Sequence, residues 1–133
     1  MRLARANGYD LARAGARLSR SLGELFDGYA PAPSLLHGDL WGGNWGTVGG
    51  EPVIFDPAVY YGDRESDIAM TLLFGGFGAD FYRAYSAEWP MAPGHEKRIK
   101  LYQLYHVLNR LNRFDRSYLG RAQQLFAELL QAG

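Results

Sequence analysis

The chain has 133 residues, enough for one domain that buries roughly two-thirds of its unfolded surface. Its 14 Lys and Arg balance 14 Asp and Glu, so it lacks the basic excess of a nucleic-acid binder, and no apolar run approaches the roughly 20 residues of a membrane helix. With no cysteine, disulfides, thiolate nucleophiles and cysteine-based metal sites are excluded.

Arginines at positions 2 and 5 are not followed by an apolar segment of the signal-peptide kind, so the N-terminus reads as the start of a helix in a cytoplasmic protein. The first clear element spans about residues 10–27. Leu11, Ala14, Leu18, Leu22, Leu25 and Phe26 recur at three- and four-residue steps and so share one face. Asp10 is the expected N-cap, and Gly28 suits the left-handed position after the helix. Pro31 and Pro33 impose an extended link.

Residues 34–62 change character. Leu35-Leu36-His37 reads as a short apolar strand, and six glycines fall between Gly38 and Gly50. The stretch Val48-Gly49-Gly50-Glu51-Pro52-Val53 reads as a turn between two short strands, the second ending in Val53-Ile54-Phe55 and closed by Asp56-Pro57. Helices are then expected over about 65–74, 79–87, 96–112 and 118–131. Gly75-Gly76, Pro90 and Pro93-Gly94 are the breaks. The expected face of the third of these carries Ile99, Tyr102, Tyr105, Leu108 and Leu111. The fold class is therefore mainly α with a small β-hairpin, α+β, in a single domain over 1–133.

Chemistry concentrates in His37-Gly38-Asp39-Leu40-Trp41-Gly42-Gly43-Asn44 and in Ile54-Phe55-Asp56-Pro57. Phosphoryl transfer needs a carboxylate to orient the attacking hydroxyl and accept its proton, and oxygen ligands for the Mg²⁺ that bridges nucleotide phosphates. Protein kinases place an Asp and then an Asn five residues later in a catalytic loop, with a second Asp at the end of a nearby strand. Asp39, Asn44 and Asp56 repeat that spacing. The bland alternative is a turn in which Asp39 caps its own backbone and His37 is a satisfied core histidine.

The segment 35–44 resembles the catalytic loop of the fructosamine kinase family, relatives of aminoglycoside phosphotransferases and choline kinases. Trp41 is the more particular mark. The segments 55–70, Leu73-Phe74-Gly75-Gly76-Phe77 and 101–109 also resemble that family, and the likeness runs from about residue 7 to 130. The family commonly has His where this chain has Asp63, Arg110 and Arg113, a departure that touches substrate choice. The resemblance implies the helical C-lobe of a protein-kinase-like phosphotransferase: a catalytic loop over 35–46, a metal-binding strand and loop over 53–63, and a helical subdomain over 64–133.

It implies further that Asp39 is the catalytic base and that Asn44 and Asp56 are Mg²⁺ ligands. Trp41 would contact substrate, the alternative being that it packs under the loop. His37 and Asp67 would support the loop, Asp67 being otherwise an ordinary first-turn acid. The implied chemistry is ATP-dependent phosphorylation of a sugar hydroxyl on a fructosamine or ribulosamine, free or on a glycated protein. No glycine-rich nucleotide loop followed by a strand lysine is found, and the two lysines, Lys97 and Lys100, come late on an expected helix. The chain is therefore expected to lack the N-lobe, to be weak or inactive alone, and to form a homodimer through exposed cleft surface. The rivals are an aminoglycoside- or choline-type kinase, a non-catalytic remnant that binds a partner, and a metal-dependent hydrolase.

Overall fold

A computed structural model describes Arg2 and residues 11–131. The chain groups into two compact units, one from residues 1–28 with 96–133 and the other from Tyr29–His95. The single-domain reading remains a proposal. The second unit takes in residues 64–95 together with the glycine-rich segment.

In the first unit, α1 (Ala12–Leu25) packs on α5 (Leu119–Gln131), and α4 (His95–Arg113) belongs to it from Glu96 onward. A 3-10 turn, Arg116–Tyr118, precedes α5, with the Asp115 carboxylate accepting the Ser117 N–H at 2.9 Å. The expected face of α1 is borne out by buried Leu11 and Leu18. The Asp10 cap falls outside the described residues. The helix ends at Leu25, and Gly28 takes the left-handed backbone at φ 70°.

Val107, Leu111, Ala122, Leu125 and Phe126 form the unit's core. Burying each large apolar side chain contributes about 1.5–3 kcal/mol. Tyr105 departs from its expected place: it is 63% exposed, while Gln103 and His106 are buried on the same helix. Aromatic identity suggested an inward position; the helix turns that residue out and buries two polar ones.

The second unit carries the four strands found among the described residues. β1 (Ser34–Leu36) pairs antiparallel with β4 (Tyr60–Gly62), Leu36 opposite Tyr60. Between them in sequence lies the hairpin of β2 (Trp45–Val48) and β3 (Glu51–Ile54), Val48 opposite Glu51. Its turn is the two residues Gly49 and Gly50, with φ 59° and 83°, a geometry that only glycine adopts without cost. Pro52 therefore lies within β3, opposite Thr47, rather than in the turn.

This topology brings the end of β1 beside the end of β3. Helix α2 (Glu65–Phe74) buries Ile68, Ala69, Met70 and Thr71, and Gly75 ends it at φ 71°. The Asp63 carboxylate accepts the Glu65 N–H at 3.0 Å at its start, and Tyr29 donates its hydroxyl to the same oxygen at 2.9 Å. Helix α3 (Ala79–Glu88) follows. The sequence leaves open an Arg64–Glu65 ion pair. The Arg64 guanidinium instead donates to the carbonyls of Trp89 at 3.1 Å and Pro90 at 2.7 Å, and stacks 4.1 Å from the Trp89 ring. Among the described residues no helix is long and apolar enough to cross a membrane.

Candidate active site

All six residues singled out by sequence lie in the second unit. β1 ends at Leu36, and the chain turns through His37 and Gly38 into the loop. Gly38 has φ 85°, and a side chain there would overlap the carbonyl of Ala58, whose N–H donates to His37 O at 2.7 Å. Glycine is thus required twice, for its backbone angle and for its lack of a Cβ.

Asp67, in the first turn of α2, reaches back to this point. Its two oxygens accept the backbone N–H groups of His37 at 2.8 Å and Gly38 at 3.0 Å. Hydrogen bonds to a carboxylate are the stronger kind, each about 1.5–3 kcal/mol.

His37 is buried. Its Nδ1 accepts the Asp39 N–H at 3.2 Å, so the ring proton sits on Nε2, which donates to Phe55 O at 2.8 Å. The imidazole thereby links the loop that carries Asp39 to the strand end that carries Asp56.

Asn44 is buried in the 3-10 turn Gly42–Asn44. Its Nδ2 donates to the Asp39 carbonyl at 2.9 Å and to Asp39 Oδ2 at 3.2 Å. Both partners are acceptors, which fixes the side-chain nitrogen as the atom turned toward Asp39. The Asn44 carbonyl accepts the Phe55 N–H at 3.0 Å, a second tie to the Asp56 segment.

Asp56 is exposed and, at φ 49°, has the one positive φ outside glycine among the described residues. Such backbone costs roughly 1–3 kcal/mol and is retained where the surroundings demand it. Asp is among the residues that tolerate it best.

Trp41 is 37% exposed, and its ring lies over Gly43 so closely that any Cβ there would overlap it. One side of the indole is thus laid on the loop's own backbone. Sequence reasoning missed the connector after α2, where Gly75 and Gly76 lie against Gly42. The dense glycines at both places were the available signal, but nothing in a linear sequence says that they meet.

Oxygen donors on braced backbone suit a hard cation. Among the described residues no cluster of three or more His, Cys, Asp or Glu is grouped to hold a metal ion.

The fructosamine kinase family model matches residues 1–132. The chain is 52% identical over 100 residues to a protein of Vibrio parahaemolyticus named "Probable ketoamine kinase", covering 75% of this chain and 35% of that protein. It is 45% identical over 112 residues to ketosamine-3-kinase of Mus musculus, covering 84% and 36% respectively. A crystal structure from Thermobifida fusca described as "putative fructosamine-3-kinase" superposes with a TM-score of 0.84 at 31% identity, covering 98% of this chain and 46% of that one. The chain spans about a third of the length of the curated relatives it matches. Its fold is the kinase-like helical lobe with a small hairpin, and the chain belongs to the fructosamine kinase family.

Proposed function

We propose that this chain carries the catalytic half of an ATP-dependent kinase that phosphorylates a sugar hydroxyl on a ketoamine such as a fructosamine or ribulosamine. The observation that carries the reading is the pair of bonds from Asn44 Nδ2 to Asp39. They hold the proposed base and the proposed metal ligand together in one turn.

Asp39 orients the hydroxyl and takes its proton. Asn44 Oδ1 and the Asp56 carboxylate hold Mg²⁺, which when bound neutralises charge on the nucleotide phosphates. Asp67 and His37 keep these groups in register, and positioning of this kind supplies most of the catalysis in phosphoryl transfer. Trp41 contacts the ketoamine with the part of its ring not laid on Gly43. The names of relatives support the substrate class: mouse ketosamine-3-kinase, and a rice protein-ribulosamine 3-kinase that is 45% identical over 118 residues. A cytoplasmic location fits a reaction that draws on ATP. Leu35, Val48, Ile54 and Tyr61, each more than 60% exposed, support the homodimer reading, which sedimentation of the purified chain tests.

The test is a phosphate-transfer assay at the full length of the relatives, with a fructosamine, a ribulosamine, an aminoglycoside and choline as acceptors. Transfer to the ketoamines is expected. Transfer confined to the aminoglycoside or choline overturns the substrate class, and transfer to none overturns the kinase reading. The 133-residue chain alone is expected to turn over weakly or not at all.

A further inference from the structure

The loop between β1 and β2 contains Gly38, Gly42 and Gly43, and glycine gives up more backbone freedom on ordering than any other residue. Its order must therefore come from outside. Asp67 holds its beginning. At its far end, a Cβ on Gly76 would lie 2.8 Å from Gly42 Cα, and one on Gly42 would lie 3.2 Å from Gly75 O. The two backbones are in contact because neither carries a side chain. Three residues after Gly42, Trp45 donates its indole N–H to Gly76 O at 3.0 Å, and its ring packs 5.8 Å from that of Phe77. Gly76 itself has φ 90°. The chain segment that makes these contacts leaves the C-terminus of α2, the helix whose N-terminal turn provides Asp67.

We propose that Gly76 and Trp45 are positioning residues, which act through Gly42 to set the placement of Trp41 and Asn44. One helix then grips both ends of the loop, Asp67 at residues 37–38 and the connector at 42–45. The consequence for turnover rests on the roles of Trp41 and Asn44 given under Proposed function; the consequence for loop order does not.

The two are tested separately. Trp45→Phe keeps the ring against Phe77 and removes only the donor to Gly76. Gly76→Ala forces the backbones apart. Gly78→Ala, in the same connector with no atom within 4 Å of its Cβ, is the control. In the 133-residue chain, amide exchange at 41–45 is expected to quicken about two- to tenfold in Trp45→Phe, the worth of one hydrogen bond, and more in Gly76→Ala, with 37–38 unchanged in Trp45→Phe. Unchanged exchange at 41–45 in Trp45→Phe overturns the proposal, and so does an equal rise at 37–38, which would mean general loosening. At full length, Trp45→Phe is expected to lower ketoamine kcat/KM by a similar factor and to leave the KM for ATP unchanged. Faster exchange with unchanged ketoamine kcat/KM overturns the positioning role. A wild-type protein inactive on every ketoamine sinks the substrate reading alone, and the exchange data still decide whether the connector holds the loop.

Discussion

The imidazole of His37 meets the carbonyl of Phe55 at 2.8 Å, across 18 residues of sequence, while its other nitrogen accepts the Asp39 N–H. A loop bearing one acid and a strand end bearing another are thus joined through a single buried ring. His37→Phe keeps the volume and removes both bonds. Leaving buried polar groups without partners costs about 1–3 kcal/mol. The urea midpoint of the chain is expected to fall accordingly at unchanged m-value; a change below about 0.5 kcal/mol would show that the ring is not the link.

Asp67→Asn tests the grip on the start of the loop. An amide oxygen can accept one of the two N–H bonds, as a neutral and weaker partner, and the other donor loses its acceptor. Stability is expected to drop by about 1–3 kcal/mol. Amide exchange should rise first at His37 and Gly38, the two residues that donate to the carboxylate. Protection unchanged at both would mean that Asp67 serves α2 only as a first-turn acid.

Two glycines with similar backbone angles should respond differently to alanine. Gly38, at φ 85°, faces the Ala58 carbonyl, whereas Gly28, at φ 70°, has nothing within 4 Å of its Cβ. Gly28→Ala should cost only the left-handed backbone term, about 1–2 kcal/mol. Gly38→Ala adds steric overlap and should cost about 2–5 kcal/mol. Thermal melts of the two variants check the order, and equal losses would contradict the close approach at Ala58.

Much of this was legible in the sequence. The spacing of Asp39, Asn44 and Asp56 singled out the candidate segments because phosphoryl transfer constrains residue type and separation together. Helix α2 begins at Glu65 and ends at Phe74 as expected, since Gly75-Gly76 stops it by a local rule. What escaped depends on tertiary meeting: β4 pairing with β1, the contact of Gly42 with Gly76, and Arg64 on the Trp89 and Pro90 carbonyls. Tyr60-Tyr61-Gly62 has no strand signal of its own, and its partner lies far back in the chain, Leu36 opposite Tyr60 and Leu35 opposite Tyr61. Tyr105 misled because an aromatic at helical spacing is usually buried.

The Glu128 carboxyl is held below its usual range chiefly by the hydrogen bond from Lys100, 3.3 Å away, with burial opposing and Gln124 assisting. A lowered acid stabilises the fold when ionised, so the contribution is present above the ordinary glutamate range and is lost as the pH falls through the lowered folded value. Both side chains are partly exposed, so solvent screening holds the effect of Glu128→Gln to about 0.5 kcal/mol or less at pH 7. Denaturant titrations at pH 7 and pH 3 should show that small difference only at the higher pH, and a difference persisting at pH 3 would contradict the assignment.

The most direct test of the account is Asp39→Asn at the full length of the relatives, assayed for phosphate transfer to a fructosamine and, separately, for binding of Mg²⁺ with a nucleotide. Asn44 keeps an acceptor at the Asp39 carbonyl, so the turn should persist. The account predicts turnover lower by about 10²–10⁴-fold, the usual worth of a general base, with nucleotide affinity nearly unchanged. Turnover within a few-fold of wild type would contradict it.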